Sequence, residues 1–456
     1  MSRSSGGKRL FGTDGIRGVA GEFPLDGGTV SRIGRALAEA LPQRARGSRV
    51  LIGRDTRESG EQLAEALGHG VAAAGGRAVS IGVAPTPAVA ALTRAHGFDA
   101  GVVISASHNP FRDNGIKVFS SQGFKLPDAQ EQEIEAHVLD RTWAAADTAA
   151  EPGRLEHDVA LVGDYVDILR ASIDPSVSLA GKKVHLDCAN GAASRVAVDL
   201  YTGLGAEVVA LAVAPDGRNI NAGCGALHPE RLAAQVRESK ADLGIAFDGD
   251  ADRAILADRE GRILDGDFIL YRAACELKRR GRLKGSEVVA TVMSNLWLER
   301  ALAALGIGLV RTQVGDKYVL EEMLRRGANL GGEQSGHVIF LDHATTGDGL
   351  LTSLKMAEAL VLGGGDLAAW GGEMRRYPQV LLNVKIKSRP DLASHPTLGP
   401  LIAAVTEEIG MRGRVLVRYS GTENLARVMI EGEDEAEVNT AARRLAASLE
   451  ESLGGA

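Results

Sequence analysis

Short apolar runs alternate with stretches of helical periodicity from about residue 49 to about residue 370. A buried, largely parallel strand reads as an unbroken apolar run, and a helix packed on it repeats its apolar positions every three to four residues, so this alternation predicts α/β units. Strands are expected at 49–53, 101–105, 183–188, 242–247, 287–291 and 337–341. Helices are expected at 61–74, 229–239, 267–280 and 296–305. The Ala-rich stretch 142–154, with Asp147, Glu151, Pro152 and Gly153, reads as a linker. After Tyr377-Pro378 the pattern changes to strand, helix, strand, strand, helix, which predicts a small α+β domain ending in a helix over 435–453. Four domains follow, at 1–155, 156–257, 258–377 and 378–456.

Composition narrows the class. A chain of 456 residues exceeds what one core supports. Apolar residues at 45%, charged residues at 24% and 57 glycines predict a soluble, loop-rich globular protein. Three separated cysteines, Cys188, Cys224 and Cys275, form neither a disulfide framework nor a zinc pattern, which suits a reducing cytoplasm. The first eight residues are polar, and no apolar stretch is long enough for a membrane span, so neither secretion nor a membrane is expected. A net charge of −7 argues against nucleic acid and leaves anionic substrates to local basic clusters.

The chemistry concentrates in loops beside the expected strands. Asp248-Gly249-Asp250-Ala251-Asp252-Arg253 sets three carboxylates at alternate positions after an apolar run. Such charges repel unless neutralised, and a hard divalent cation such as Mg²⁺ is the usual means. A calcium-binding EF-hand loop is excluded, because Arg253 and Arg259 stand where it needs Gly and Glu. A solvated acidic turn is the alternative for this stretch alone. Ser105-Ala106-Ser107-His108-Asn109-Pro110 follows the strand at 101–105, where open α/β sheets bind ligands. It lacks the G-x-S-x-G elbow, and a His next to a Ser in sequence is expected to point elsewhere. A serine used in phosphoryl transfer needs positioned cations more than a triad, and Lys117 with a metal held by the acidic cluster would supply them.

Three further loops suit a phosphorylated sugar. Phe11 to Gly18 holds Arg17 among glycines, and Gly331 to His337 offers Glu333, Gln334, Ser335 and His337 to hydroxyl groups. Arg418, Ser420, Gly421 and Thr422, with Arg427 nearby, form a candidate phosphate nest. Read singly, each is also consistent with an ordinary turn. There is no G-x-x-x-x-G-K-[ST] and no G-x-G-x-x-G between strand and helix, so nothing supports nucleotide dependence.

Taken in order, FGTDGIRG, ISASHNP, DNGIKVF, DGDADR, GGEQSGH and RYSGTEN resemble the α-D-phosphohexomutase superfamily across nearly the whole chain. Within it, FGTDGIRG, GEQSGH and the TTGDG at 345–349 resemble most the bacterial family acting on glucosamine phosphates. The resemblance implies three topologically similar α/β domains with mixed, largely parallel sheets and a smaller C-terminal α+β domain, around a central cleft. It implies Ser107 as a phosphoserine, and Asp248, Asp250 and Asp252 holding one Mg²⁺ with its phosphate. Arg253 is implied as their charge partner, and Arg17, Lys117 and His337 as groups around the transferring oxygen. Glu333 and Ser335 match sugar contacts; Arg418, Ser420, Gly421, Thr422 and Arg427 match the distal phosphate site. A glucosamine 1,6-bisphosphate or similar hexose bisphosphate is implied as intermediate and activator, and a homodimer as the assembly. Asn424 departs from the usual proline, which puts the rigidity of its loop in question. A phosphomannomutase/phosphoglucomutase, and a non-catalytic sugar-phosphate or metal binder, are the competing readings.

Overall fold

The structure, a computed structural model, describes residues 10–12, 14–41, 47–141, 155–420 and 424–454. The expected linker at 142–154 lies outside the described residues, as do Gly421 and Thr422. By contact density the chain divides into two units, Met1–Met293 with Leu309–Gly372, and Ser294–Gly308 with Glu373–Ala456.

The first unit begins with a seven-stranded sheet ordered Phe11–Gly12, Gly15–Val19, Asp113–Ser120, Ala100–Ile104, Arg49–Arg54, Arg77–Val83, Glu156–His157. Arg49–Arg54 is parallel to both neighbours, whereas Asp113–Ser120 returns antiparallel beside Ala100–Ile104. Ala100–Ile104 is buried along its whole length, which explains its continuous apolar run. The second sheet, of five strands, repeats the plan: Leu243–Phe247 is parallel to Lys183–Asp187, and Ala254–Ala257 returns antiparallel on its other side. In the third, of four strands, Leu330–Gly332 is parallel to Glu287–Thr291 and is followed by the antiparallel Val338–Phe340. Three mixed sheets thus share one device, a buried parallel strand joined by a loop to an antiparallel neighbour.

Helices cover these sheets and start where polar caps allow. Asp26 accepts from the Thr29 amide at 2.9 Å, and Asp348 from the Leu351 amide at 2.9 Å. Gly27–Ala40 and Gly60–Ala73 touch backbone to backbone, since a Cβ on Gly70 would lie 1.8 Å from the Ser31 carbonyl oxygen. Beneath them Ile33, Leu37, Leu67 and Val71 pack with Val50, Ile52, Val102 and Ile104 of the sheet.

In the second unit a three-stranded antiparallel sheet is ordered Gln379–Lys385, Leu425–Gly432, Gly413–Tyr419. The helices Leu398–Ile409 and Glu435–Leu453 complete the expected strand, helix, strand, strand, helix order. Their core holds Val405, Ile409, Val428, Ile430, Leu445 and Leu449. The helix Leu296–Ala304, expected from periodicity, belongs to this unit: the Leu296 amide donates to Glu431 Oε2 at 3.2 Å. Among the described residues, no helix is long and apolar enough to cross a membrane.

Gly70→Ala should destabilise the first unit by about 1–3 kcal/mol, because a methyl forced against a backbone oxygen must separate two helices. Calorimetry on the folded chain reads the drop in Tm; an unchanged Tm contradicts this account of the helix pair.

Candidate active site

Each sheet's loop between parallel strand and antiparallel return carries one group of candidate residues. Ser107 lies between Ala100–Ile104 and Asp113–Ser120, the aspartates between Leu243–Phe247 and Ala254–Ala257, and Glu333 to His337 between Leu330–Gly332 and Val338–Phe340. Residues about 140 apart in sequence thereby meet. Ser107 Oγ donates to Asp248 Oδ2 at 2.6 Å.

Asp248, Asp250 and Asp252 are buried, and one carboxylate oxygen from each lies within 4.8 Å of the others. Burial first, then the charges of Asp252 and Asp250, drive the Asp248 pKa well above the ordinary carboxylate value. Asp250 Oδ1 and Asp252 Oδ1 are buried and accept no hydrogen bond from the described residues. Hard oxygens free of hydrogen bonds in a closely spaced carboxylate set fit a divalent cation that takes oxygen ligands. The loop's turn places Ala251 at φ 58° and leaves no room beside Gly249, where a Cβ would lie 2.6 Å from the Ser107 carbonyl oxygen.

Cations of the protein supply the remaining compensation. Lys117, 2% exposed, places Nζ 3.1 Å from Asp250 Oδ2, 3.4 Å from Asp252 Oδ2 and 3.3 Å from Asp14 Oδ2. Burial opposes its charge, but Asp14, Asp250 and Asp252 outweigh that and raise its pKa well above the usual value. Arg253 Nε lies 3.6 Å from Asp252 Oδ1, and its amide donates to Asp248 Oδ1 at 3.2 Å. Arg17 pairs with Asp14 at 2.7 Å and donates to Asn109 Oδ1 at 3.1 Å. His337 is buried, with Nδ1 3.6 Å from Asp252 Oδ1. Its Nε2 accepts from the Gly347 amide at 3.0 Å, which places the proton of the neutral ring on Nδ1.

The sugar-loop candidates divide. Glu333 Oε1 accepts from the Gly315 amide at 3.1 Å, whereas Ser335 Oγ is buried and makes no hydrogen bond to the described residues. In the second unit Arg418 and Arg427 are direct cross-strand partners, so two like charges share one face of the sheet. Burial, followed by Arg427, lowers the Arg418 pKa. A bound anion would offset the repulsion between the two guanidinium groups. Ser420 is buried beside them in sequence, and its amide donates to the Leu425 carbonyl at 2.8 Å. Asn424 is held: its carbonyl accepts from the Ile386 amide at 3.0 Å and its Oδ1 from Arg389 at 3.3 Å.

The structure corrects one expectation and adds participants. His108 does not point away, since its Nδ1 lies 3.3 Å from Ser107 Oγ. Burial, with Arg253 and Arg17 nearby, lowers its pKa to about 4 and keeps the ring neutral at pH 7. Thr86 Oγ1 donates to Asp250 Oδ2 at 2.7 Å. Lys125 bridges Asp14 and Asp316 at 2.5 Å each. Sequence reasoning missed these because a single Thr, Asp or Lys beside a strand looks like surface until its distant partner is known. Strand ends facing the ligand side of a sheet were the available signal.

Comparisons with known proteins agree along the whole length. Family models described as phosphoglucomutase/phosphomannomutase match here: alpha/beta/alpha domain I at residues 8–145, domain II at 163–261, domain III at 265–377 and the C-terminal domain at 381–448. The phosphoglucosamine mutase of Koribacter versatilis (strain Ellin345) is 50% identical over 453 residues, covering 98% of each chain. That of Anaeromyxobacter sp. (strain Fw109-5) is 47% identical, covering 98% of this chain and 96% of its own. Among solved structures, a putative phosphomannomutase from Thermus thermophilus superposes with a TM-score of 0.77 at 26% identity, covering 98% of this chain and all of that one.

Asp250→Asn should weaken Mg²⁺ binding by about tenfold or more, since it removes a charged oxygen from the cluster. Titration calorimetry of the intact protein checks this; wild-type affinity in the variant removes Asp250 from the metal set.

Proposed function

The chain belongs to the phosphoglucomutase/phosphomannomutase family, and from that premise we propose that it is an isomerase interconverting glucosamine 6-phosphate and glucosamine 1-phosphate. The product would feed UDP-N-acetylglucosamine and cell-wall precursor synthesis. The observation that carries the reading is the 2.6 Å bond from Ser107 Oγ to Asp248 Oδ2, within a cluster that also holds Lys117 and two carboxylate oxygens that accept no hydrogen bond from the described residues. The curated relatives named above, near half identical over almost the full chain, support the amino-sugar substrate.

In this reading the working enzyme carries a phosphoryl group on Ser107. The P–Oγ bond breaks as a sugar hydroxyl oxygen bonds to phosphorus, the hydroxyl proton leaves, and the serine oxygen ends protonated. The sugar then holds two phosphates, turns, and returns the other one to Ser107. Lys117, Arg17 and His337 stabilise the negative charge that spreads over the equatorial oxygens at transfer. Asp248, Asp250 and Asp252, with a phosphoserine oxygen, would hold Mg²⁺, which when bound supplies further neutralisation of the phosphate. Arg253 stands beside the carboxylates as their charge partner.

Sugar hydroxyls fall to Glu333 and Ser335, the latter with a hydroxyl still to be satisfied. Arg418, Ser420, Gly421, Thr422 and Arg427 take the phosphate that is not being transferred. Two phosphate sites, one with the serine and one without, suit a substrate that must present either end; a phosphatase needs only the first. A cytoplasmic homodimer belongs to the same reading on family likeness alone.

Ser107→Ala should abolish turnover even with a hexose bisphosphate activator, and retention of near wild-type isomerisation would refute the assigned nucleophile. A second assay compares kcat/KM for glucosamine, glucose and mannose 1-phosphates under identical activation. Glucosamine should lead with slow turnover of glucose phosphates, because a single substituent is worth only a few kcal/mol; a lead for mannose or glucose shifts the specificity and leaves the mechanism intact.

A further inference from the structure

Ser107 sits at φ 51°, a left-handed conformation that a serine holds only where its surroundings over-determine it, and it is 1% exposed. The surroundings that do so come from two residues outside the chemistry. Arg57, fully buried with Asp55 as its ion-pair partner at 2.8 Å, sends the rest of its guanidinium into one loop. Nη2 donates to the carbonyls of Ser107 and Asn109, each at 2.9 Å. Nη1 donates to the carbonyl of Asp113 at 2.8 Å and to that of Pro110.

Asn221 reaches the same two acceptors from the second sheet's side. Its Nδ2 donates to the Ser107 carbonyl at 2.9 Å and the Asn109 carbonyl at 3.2 Å. Asp55 extends the grip to the loop's start: its Oδ2 accepts from Ser105 Oγ at 2.6 Å, and Ser105 Oγ accepts from the Ser107 amide at 2.9 Å. The metal loop abuts the same point, where a Cβ on Gly249 would lie 2.8 Å from Asn221 Nδ2.

We propose that Arg57 and Asn221 are positioning residues for phosphoryl transfer, a two-sided clamp on the Ser107 and Asn109 carbonyls that aims Ser107 Oγ at the acidic cluster. The inference rests on the reading of Ser107 as the transferring group. One donor would suffice to tether a loop. Two donors from loops of different sheets on the same pair of carbonyls fix its orientation as well, and in-line transfer is sensitive to orientation. Arginine is suited to this role because its rigid planar fork spreads donors to several carbonyls in a fixed geometry, whereas the donors of a lysine radiate from one freely rotating point.

The test uses the full-length protein with Asn221→Gly, Asn221→Asp and Arg57→Lys. Glycine accommodates the φ of 59° at position 221, so Asn221→Gly removes the amide without straining the backbone. For each variant, kcat, KM, Tm and Mg²⁺ affinity are measured, with the rate of Ser107 phosphorylation by glucose 1,6-bisphosphate followed by intact mass. Asn221→Gly should lower kcat and the phosphorylation rate by about 10- to 100-fold. KM should stay within about twofold and Mg²⁺ affinity unchanged, because neither ligand touches the amide. Asn221→Asp should lose more, since it turns a donor into an acceptor facing two carbonyl oxygens, and Arg57→Lys should not restore the fork. Wild-type turnover per folded molecule in both Asn221 variants, or a loss that merely follows the folded fraction, overturns the proposal. If the wild type turns over no hexose phosphate, the functional reading has failed on its own. The clamp is then judged by amide hydrogen exchange over 105–113, which should quicken in the variants and whose invariance would overturn it.

Discussion

Burying three carboxylates at one point is the constraint around which this protein is arranged. Asp248, Asp250 and Asp252 lie out of water, and the polar structure nearby answers their charge. Lys117 reaches two of them, Arg253 and His337 flank Asp252, and Thr86 and Ser107 donate hydroxyls. Asp14 and Asp316 share the half-buried Lys125, which extends the compensation into a network. Isolated buried charges are costly, so such a set persists only when paired or bound to a metal. The same low-polarity setting makes each pre-placed charge more effective on a phosphoryl group in transfer.

One topological device delivers the groups. A parallel strand ends, a short loop follows, and an antiparallel strand carries the chain back, as at Ile104 to Asp113, Phe247 to Ala254 and Gly332 to Val338. Because both flanking strands are hydrogen-bonded in register, the loop between them has little freedom. Glycine or left-handed residues, such as Ser107, Ala251 and Gly336, then turn each loop tightly. In the second unit the antiparallel pair Gly413–Tyr419 and Leu425–Gly432 carries Arg418 and Arg427 opposite one another.

Much of this is legible in the sequence because it depends on local pattern. Buried strands show as apolar runs, so the strand expected at 287–291 coincides with the observed Glu287–Thr291, and the other expected strands shift by a residue or two at their ends. Ser107 and the aspartates stand out because reactive or like-charged residues cluster in a few positions beside such runs. What stays hidden depends on distance in the chain. Arg57 and Ser107 are 50 residues apart, Asn221 and Ser107 are 114 apart, and neither sequence context says that a charged or amide side chain will be buried against carbonyls. The Asp55-Thr56-Arg57 turn after the strand Arg49–Arg54, whose interior residues are apolar and buried, is the one clue. His108 shows the converse failure, since adjacency in sequence gives no guide to a ring that lies against the Ser107 hydroxyl.

The most direct test of the account follows the phosphoryl group itself. Protein carrying isotopically labelled phosphate on Ser107 is mixed with glucosamine 6-phosphate in a single turnover, and the label is traced by mass spectrometry. The account predicts that label leaves Ser107 for the sugar bisphosphate and then appears in glucosamine 1-phosphate or glucosamine 6-phosphate. Label that remains on Ser107 while sugar phosphate is converted, or that passes only into inorganic phosphate, would contradict it.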